Sequence, residues 1–197
     1  MHGLFCLIVL FWNSRRNIFS MIGLIAFTEK MQISAQDSFA DIENAVPFKY
    51  TANGQTVIMT PLTHYSVTGK IVYIERYDGW FQKFAYGHNP SHTIYNAFAP
   101  LDLAIVHGEM SRPENLRNFK FGHEYRAAKT WSKKRFNYSQ YLNNFNNYHI
   151  IPASLKIRKA LDCLLNRDII YLEGILVNVE SPTEKWFKLN RSEEHTS

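Results

Sequence analysis

The segment 102–109 holds two acidic side chains and a histidine, and these are the first candidates for chemistry. Asp102 lies inside an otherwise apolar run, Leu101–Val106, where an unpaired carboxylate would be costly to bury. Its candidate partners are Arg112, Arg126 and backbone donors. A structural ion pair or a turn-capping role is the simpler interpretation. A site built from Asp102, His107 and Glu109 is the alternative.

Two other histidine positions could bind a ligand. His88 and His92 are four residues apart, a spacing that would present both imidazoles to one metal on a helix. Gly87 and Pro90 break a helix there and no acidic third ligand lies nearby, so we predict a polar loop without a metal. His149 lies in an apolar run before a helix cap, which favours a buried, hydrogen-bonded histidine.

We expect four residues to matter most for ligand binding: Asp102, His107, Arg126 and His149. The sequence has no glycine-rich phosphate loop, nucleophile elbow, Cys/His nucleophile pair or paired-carboxylate motif. It therefore indicates no catalytic residue, metal or cofactor, and it favours a non-enzymatic domain whose ligand is unknown.

Basic and aromatic residues alternate in Tyr125-Arg126 and in the segment from Trp131 to Tyr138. Such mixtures stack bases and pair phosphates, but they also cover β surfaces. An oligonucleotide- or sugar-binding module would expose Arg126, Trp131 and Arg135 on one concave face. Export from the cytoplasm, for which the N-terminus argues below, would make nucleic acid an unlikely partner.

The spacing of apolar residues predicts a mainly β (α+β) fold. Strands are indicated in these segments: Tyr65–Ile74, Trp80–Tyr86, Leu101–Val106, Phe119–Tyr125, Tyr148–Ile151, Ile169–Val179 and Lys185–Leu189. Two helices are indicated, a short one after Ser111 and an amphipathic one over Ser154–Leu165. Strands and helices do not alternate, which argues against a parallel α/β sheet. Mid-strand Gly69 and Gly174 favour a small antiparallel, OB-like or SH3-like barrel.

The N-terminus carries two apolar runs, Leu4–Trp12 and Ile18–Phe27, and both are too short to span a bilayer as ~20 apolar residues would. The second run follows Arg15-Arg16 and precedes the small residues Ser34-Ala35, as in a secretory signal. We therefore predict a signal peptide or an apolar anchor helix in residues 1–35. A start codon assigned too far upstream would explain the first apolar run. The expected location is periplasmic, or membrane-anchored and extracytoplasmic.

The remaining segments divide simply. Residues 36–60 are predicted to be a linker with a hairpin at Asn53-Gly54, and residues 61–190 to be the folded domain. Residues 191–197 match a translated sequencing adapter codon for codon, so we expect a non-native tail and a truncated domain. The 197 residues are 46% hydrophobic with a net charge of +5, typical of a globular protein. The chain has only two cysteines, Cys6 and Cys163, and this low number excludes a disulfide scaffold.

Several segments, taken in order, resemble a family of uncharacterised small bacterial proteins that carry a signal or a membrane anchor. The matching segments are Tyr65–Val72, Ala99–Ala104, His107–Ser111, Tyr125-Arg126, Tyr148–Ala153, Asp168–Val177 and Trp186. The family has Trp-Gly where this chain has His107-Gly108, and it continues past the tryptophan. The resemblance implies no known activity.

A second resemblance motivates a metal-dependent, nuclease-like hydrolase as an alternative. The segment Gly69–Gly79 faintly resembles the first barrel strand of thermonuclease-type OB enzymes, which places Asp78 where an acidic metal ligand would lie. This chain has Trp80 where a threonine is usual and lacks a matched catalytic arginine.

Overall fold

The computed structural model describes residues 5–14, 38–77, 90–124, 126–133, 139–183 and 188–189. Its strands are β1 (Phe5–Ser14), β2 (Ser38–Asp41), β3 (Phe48–Ala52), β4 (Gln55–Arg76), β5 (Leu101–Val106), β6 (Phe119–Glu124), β7 (Ala127–Ser132), β8 (Phe145–Pro152), β9 (Ile169–Glu180) and β10 (Lys188–Leu189). Its α-helices are α1 (Pro90–Phe98), α2 (Pro113–Leu116) and α3 (Leu155–Asp162). The predicted mainly β fold with few short helices is confirmed.

β4 organises the main sheet because it pairs with four other strands along its 22 residues. One of its edges pairs with β9 from Ile58 to Lys70. The other edge pairs in succession with β3, β2 and β5, and β8 continues the sheet beyond β5. β1 lies between β8 and β9, parallel to the first and antiparallel to the second, and β10 pairs with the end of β9.

This arrangement differs from the small barrel that the sequence predicts. β9 neighbours both β1 and β4, so the sheet turns back towards itself, but no closed barrel is found in the described part of the chain. The sheet also carries β2 and β3 on the edge of β4 that pairs with β5, and a small five-stranded barrel has no such strands. The OB-like or SH3-like architecture is therefore not confirmed.

The segment 36–60 is not a linker, because β2, β3 and the start of β4 lie there. The predicted hairpin is present: Ala52 pairs with Gln55 across the two-residue turn Asn53-Gly54. Both turn residues have positive φ, +50° and +77°, as a type I′ turn requires. Of the first 35 residues only β1 is described; the predicted N-terminal helix and the second apolar run lie outside the described residues.

The helices follow local signals, with one exception. Ser154 caps α3, since its hydroxyl oxygen accepts a hydrogen bond from the Ile157 amide at 3.2 Å. α1 begins at Pro90, so this proline starts a helix where we predicted a break; its fixed φ suits the first helical position. No helix among the described residues is long and apolar enough to cross a membrane.

The two faces of the sheet at β5 and β8 pack against different parts of the protein. Leu103, Ile105 and Ile150 belong to the largest apolar cluster, inside the curled sheet. On the opposite face, the hairpin β6–β7 brings Phe119 and Ala128 against Ala104, Val106 and Phe145. Helix α1 covers the other end of that face with Ile94 and Phe98. The polar residues described next lie between these two coverings.

Candidate functional site

The ladder between β5 and β8 brings Asp102 and His149 together. The two residues are directly opposite each other in the antiparallel register, so their side chains project from the same face of the sheet. Both side chains are completely buried, with 0% exposure. The alternation of the two strands thus places a carboxylate and an imidazole in the protein interior side by side.

Three side chains donate hydrogen bonds to the Asp102 carboxylate. His149 Nδ1 lies 2.7 Å and Arg126 Nη1 3.0 Å from Oδ1, and the Tyr77 hydroxyl lies 3.1 Å from Oδ2. Burial by itself raises the pKa of Asp102, but His149, the His123 ring and Arg126 outweigh it and hold this pKa well below its usual range. Asp102 is therefore a buried carboxylate that stays ionised.

The ionised carboxylate fixes the tautomer of His149. A carboxylate only accepts hydrogen bonds, so His149 Nδ1 must carry the proton that it shares with Asp102. Its other nitrogen, Nε2, is buried and has no hydrogen-bond partner within the described residues. The ring packs at 74° against Tyr95, with 5.3 Å between the ring centroids.

Arg126 brings a permanent positive charge to Asp102. Its guanidinium also donates to the Ala99 carbonyl at 2.8 Å and to the side-chain oxygen of Asn96 on α1. The guanidinium carbon lies 3.4 Å from the ring centroid of Tyr77 and 4.1 Å from that of Tyr95. These contacts match the planar, forked and weakly hydrated character of guanidinium better than that of an ammonium group.

The hairpin β6–β7 delivers Arg126 from its turn. Arg126 has φ +67°, a left-handed conformation that a non-glycine residue adopts at a cost of roughly 1–2 kcal/mol. The Asn147 side-chain amide donates to the Arg126 carbonyl at 3.0 Å, which ties the turn to β8. The strained backbone is thus held by contacts of both the main chain and the side chain.

His123, on β6 of the same hairpin, completes the cluster. Its Nδ1 lies 3.2 Å from the Tyr77 hydroxyl, and its ring stacks on Tyr73 with 6.0 Å between the centroids. Its Nε2 lies 3.2 Å from Asp102 Oδ2, but the geometry is not that of a hydrogen bond. Burial, followed by the charge of Asp102, raises the pKa of Tyr77, so this hydroxyl keeps its proton.

Three of the four predicted site residues meet in this cluster: Asp102, Arg126 and His149. His107 does not, because it follows β5 five residues after Asp102, roughly 16 Å away along a strand. His107 is buried, and its backbone amide donates to the Asn144 carbonyl at 3.0 Å. Glu109 pairs instead with Arg112, at 2.7 Å on the surface.

The sequence reasoning missed Tyr77, Tyr95, Asn96, His123 and Asn147. Strand alternation was an available signal for His123, since it places 119, 121 and 123 on one face of β6. No spacing in the sequence pointed to Tyr77, because only the tertiary fold brings the end of β4 to the hairpin turn.

No group of histidine, cysteine and acidic residues that could hold a metal is found within the described ranges. In this cluster the guanidinium of Arg126 supplies the positive charge that a cation would bring. Of the other predicted positions, Asp78, His88 and Arg135 lie outside the described residues, so the nuclease-like hypothesis stays a prediction. A metal-dependent nuclease assay with Asp78→Ala as the control tests it.

No family model, curated protein or solved structure matches this chain. The geometry of the cluster itself must therefore carry the functional interpretation. An imidazole oriented by a carboxylate is also the arrangement that general bases use in hydrolases. Here the pair has no exposed surface and its carboxylate is already neutralised by Arg126, so a substrate has no access to it in this conformation.

Proposed function

We propose that this chain is a non-enzymatic binding or structural domain of an exported or membrane-anchored bacterial protein. The observation that carries the non-enzymatic part is the internal use of the Asp102 cluster. A catalytic carboxylate or imidazole must reach its substrate, whereas Asp102 and His149 have side chains with 0% exposure. The Arg126 guanidinium donates hydrogen bonds to Asp102, Asn96 and the Ala99 carbonyl.

In this proposal the Asp102 cluster locks the β6–β7 hairpin onto the main sheet. The hairpin forms a separate two-stranded sheet, so no ladder among the described residues connects it to β5 or β8. Its attachment depends on the apolar contacts of Phe119 and Ala128 and on the polar contacts of Arg126 and His123. The lock positions the two-stranded hairpin on which the exposed Trp131 lies.

Hydrogen exchange of the hairpin amides tests the lock. We expect Asp102→Asn to accelerate exchange in β6 and β7 more than in β9, because the neutral amide lacks the negative charge that attracts Arg126. Asp162→Asn is the matched control, since Asp162 pairs with Arg76 at 3.2 Å on the surface. Equal protection of the hairpin in both variants would contradict the proposal.

The export part of the proposal has its support in the N-terminal sequence and in the resemblance to anchored bacterial proteins. An exported chain cleaved near Ala35 would lack β1. The β4–β9 ladder, from Ile58 to Lys70, joins β9 to the sheet without β1. The main sheet therefore stays continuous when β1 is absent.

A second candidate function is an oligonucleotide- or sugar-binding module, favoured by the outer face of the hairpin. Trp131 is 51% exposed there, and it pairs across the ladder with Lys120. Its ring lies against Gly122, where an added Cβ would come within 3.0 Å of it. Arg126 points inward, so the predicted concave face of Arg126, Trp131 and Arg135 loses one member.

Binding assays with Trp131→Ala test this second candidate. We expect the variant to lose affinity for a fluorescein-labelled single-stranded oligonucleotide or for an oligosaccharide, because stacking is worth about 1–3 kcal/mol per base. Leu165→Ala is the control, since Leu165 is a large apolar residue with a similar exposure of 52%. Unchanged affinity in Trp131→Ala, or no binding by the wild type, would remove the candidate.

A further inference from the structure

The surroundings of the Arg126 guanidinium form a complete recognition site for that group. A buried carboxylate oxygen of Asp102, the Ala99 carbonyl and the Asn96 side-chain oxygen accept hydrogen bonds from it. The rings of Tyr77 and Tyr95 lie at 3.4 and 4.1 Å from its carbon. Apart from the Arg126 side chain itself, all of these groups belong to β5, α1, the residues beside them and the end of β4.

The site and its occupant are therefore separate parts of the fold. The receptor groups lie at residues 77–102, whereas Arg126 enters from the turn of a hairpin that is not paired with the main sheet. The Arg126 backbone is strained, with φ +67°. Because Arg126 reaches the site from the hairpin turn, its side chain occupies the site in the manner of a tethered ligand.

We propose that the Asp102 pocket is a guanidinium-binding site that Arg126 occupies in cis, and that it binds a free alkylguanidinium when the Arg126 side chain is withdrawn. The ligand class follows from the donor geometry: an in-plane fork for carboxylate and carbonyl, with aromatic faces on the guanidinium carbon. An ammonium ion offers the same charge but not the planar fork. The inference goes beyond the structural lock, since a lock needs no selectivity.

Entry to the pocket follows the path of the Arg126 side chain. That side chain is 11% exposed, while the Asp102 carboxylate beneath it is fully buried. In Arg126→Gly the channel left by the side chain would lead from the surface to Asp102. Glycine also adopts φ +67° without a steric cost, so the variant removes the ligand and relieves the backbone at once.

Chemical rescue of Arg126→Gly in the full chain is the test, with methylguanidinium as the probe. We expect a lower thermal midpoint for the variant, by roughly 5–15 °C, because breaking a buried charge pair is strongly destabilising. Millimolar methylguanidinium should raise that midpoint saturably, and methylammonium should raise it much less. Calorimetric titration should give one site per chain.

Two control variants separate recognition from general effects of the probe. Arg167→Gly removes an exposed arginine that also has positive φ, +78°, and it should show no midpoint increase with methylguanidinium. The double variant Arg126→Gly, Asp102→Asn should also fail to respond, because the carboxylate that selects the cation is absent.

The outcomes distinguish this inference from the structural lock. An Arg126→Gly protein that is destabilised but not rescued, or that methylammonium rescues equally, overturns the guanidinium site and leaves the lock. A variant as stable as Arg167→Gly overturns both. If Arg126→Gly does not fold alone, refolding from urea with and without methylguanidinium replaces the thermal midpoint. Recovery of native circular dichroism only with the probe supports the site, and no recovery overturns it.

Discussion

At the scale of single residues, the energetics of this protein depend on Asp102. The desolvation of a buried carboxylate costs several kcal/mol, and only good partner geometry repays it. Asp102 has that geometry, with three donors within 3.1 Å and Arg126 as the neutralising cation. A buried pair of this kind is costly to break from one side, whereas a surface pair such as Arg76–Asp162 is worth about 0–1 kcal/mol.

We predict that the stabilisation by Asp102 is lost in acid. The folded-state pKa of Asp102 lies below the unfolded value of about 3.9, so the unfolded chain binds the extra proton as pH falls. Asp102→Asn should lose about 3–5 kcal/mol of unfolding free energy at pH 7. The gap between wild type and variant should narrow from about pH 4 downwards. Urea unfolding at a series of pH values measures the gap.

Other carboxylates titrate in both proteins and cancel in this difference. Asp162→Asn again serves as the control, since its effect should stay within about 1 kcal/mol at pH 7. A gap between wild type and Asp102→Asn that widens on acidification would show that Asp102 is not stabilised as an anion in the fold.

How far the site was predictable depends on which contacts are local. An aspartate in the apolar run Leu101–Val106 requires a partner, and Arg126 was one of two arginines that the sequence suggested. The opposite register of Asp102 and His149 was not predictable, because it depends on which strands become neighbours. The two tyrosine rings that contact the guanidinium were even harder to predict from the sequence, because Tyr77 and Tyr95 come from different elements.

At the scale of elements, a mid-strand glycine leaves room for side-chain and backbone atoms of the neighbouring strand. Gly69 lies in β4, and a Cβ built there would come within 2.3 Å of Ile105 Cγ2 and 3.0 Å of the Val106 carbonyl oxygen. Ile105 is fully buried in the largest apolar cluster, so neither neighbour moves easily. In the sequence Gly69 served as a sign of a small barrel, and the structure gives a packing reason for this glycine.

We predict that Gly69→Ala destabilises the fold by about 1–3 kcal/mol through overpacking. Gly122→Ala is the matched control, because its Cβ would meet only the Trp131 ring, at 3.0 Å, and that ring is half exposed. The control should therefore cost less than Gly69→Ala. Equilibrium unfolding in urea gives both values, and a Gly122→Ala that is the less stable of the two would contradict this account.

Element types were predictable wherever periodicity and capping agreed. β5 matches the predicted strand Leu101–Val106 residue for residue, and α3 begins after the predicted cap, Ser154. Helix α1 was missed because Pro90 was interpreted as a breaker, although proline fits the first turn of a helix. β7 was missed because its basic and aromatic residues suggested a binding segment rather than a strand.

At the scale of the whole molecule, β1 is the element of the main sheet that cleavage near Ala35 would remove. β1 fills the space between β8 and β9, with pairs such as Leu7–Ile150 on one side and Leu7–Leu176 on the other. A chain cleaved near Ala35 would leave these edges of β8 and β9 open. Exposed edges of that kind favour pairing with another chain, so the exported form would have to protect them in some other way.

A reporter fusion tests the export proposal directly. Residues 1–60 placed before alkaline phosphatase in a Gram-negative host should give periplasmic activity, because Arg15-Arg16 and the apolar run Ile18–Phe27 form the signal. Replacing both arginines with glutamate should reduce that activity severalfold, and a fusion that begins at residue 36 should give none.

For the full chain, the N-terminus of the mature protein and the thermal midpoints of chains 1–197 and 36–197 complete the test. Export predicts similar midpoints, because the β4–β9 ladder keeps the sheet joined without β1. Cytoplasmic retention with Met1 intact, together with a much lower midpoint for 36–197, would instead make β1 a permanent strand of the sheet.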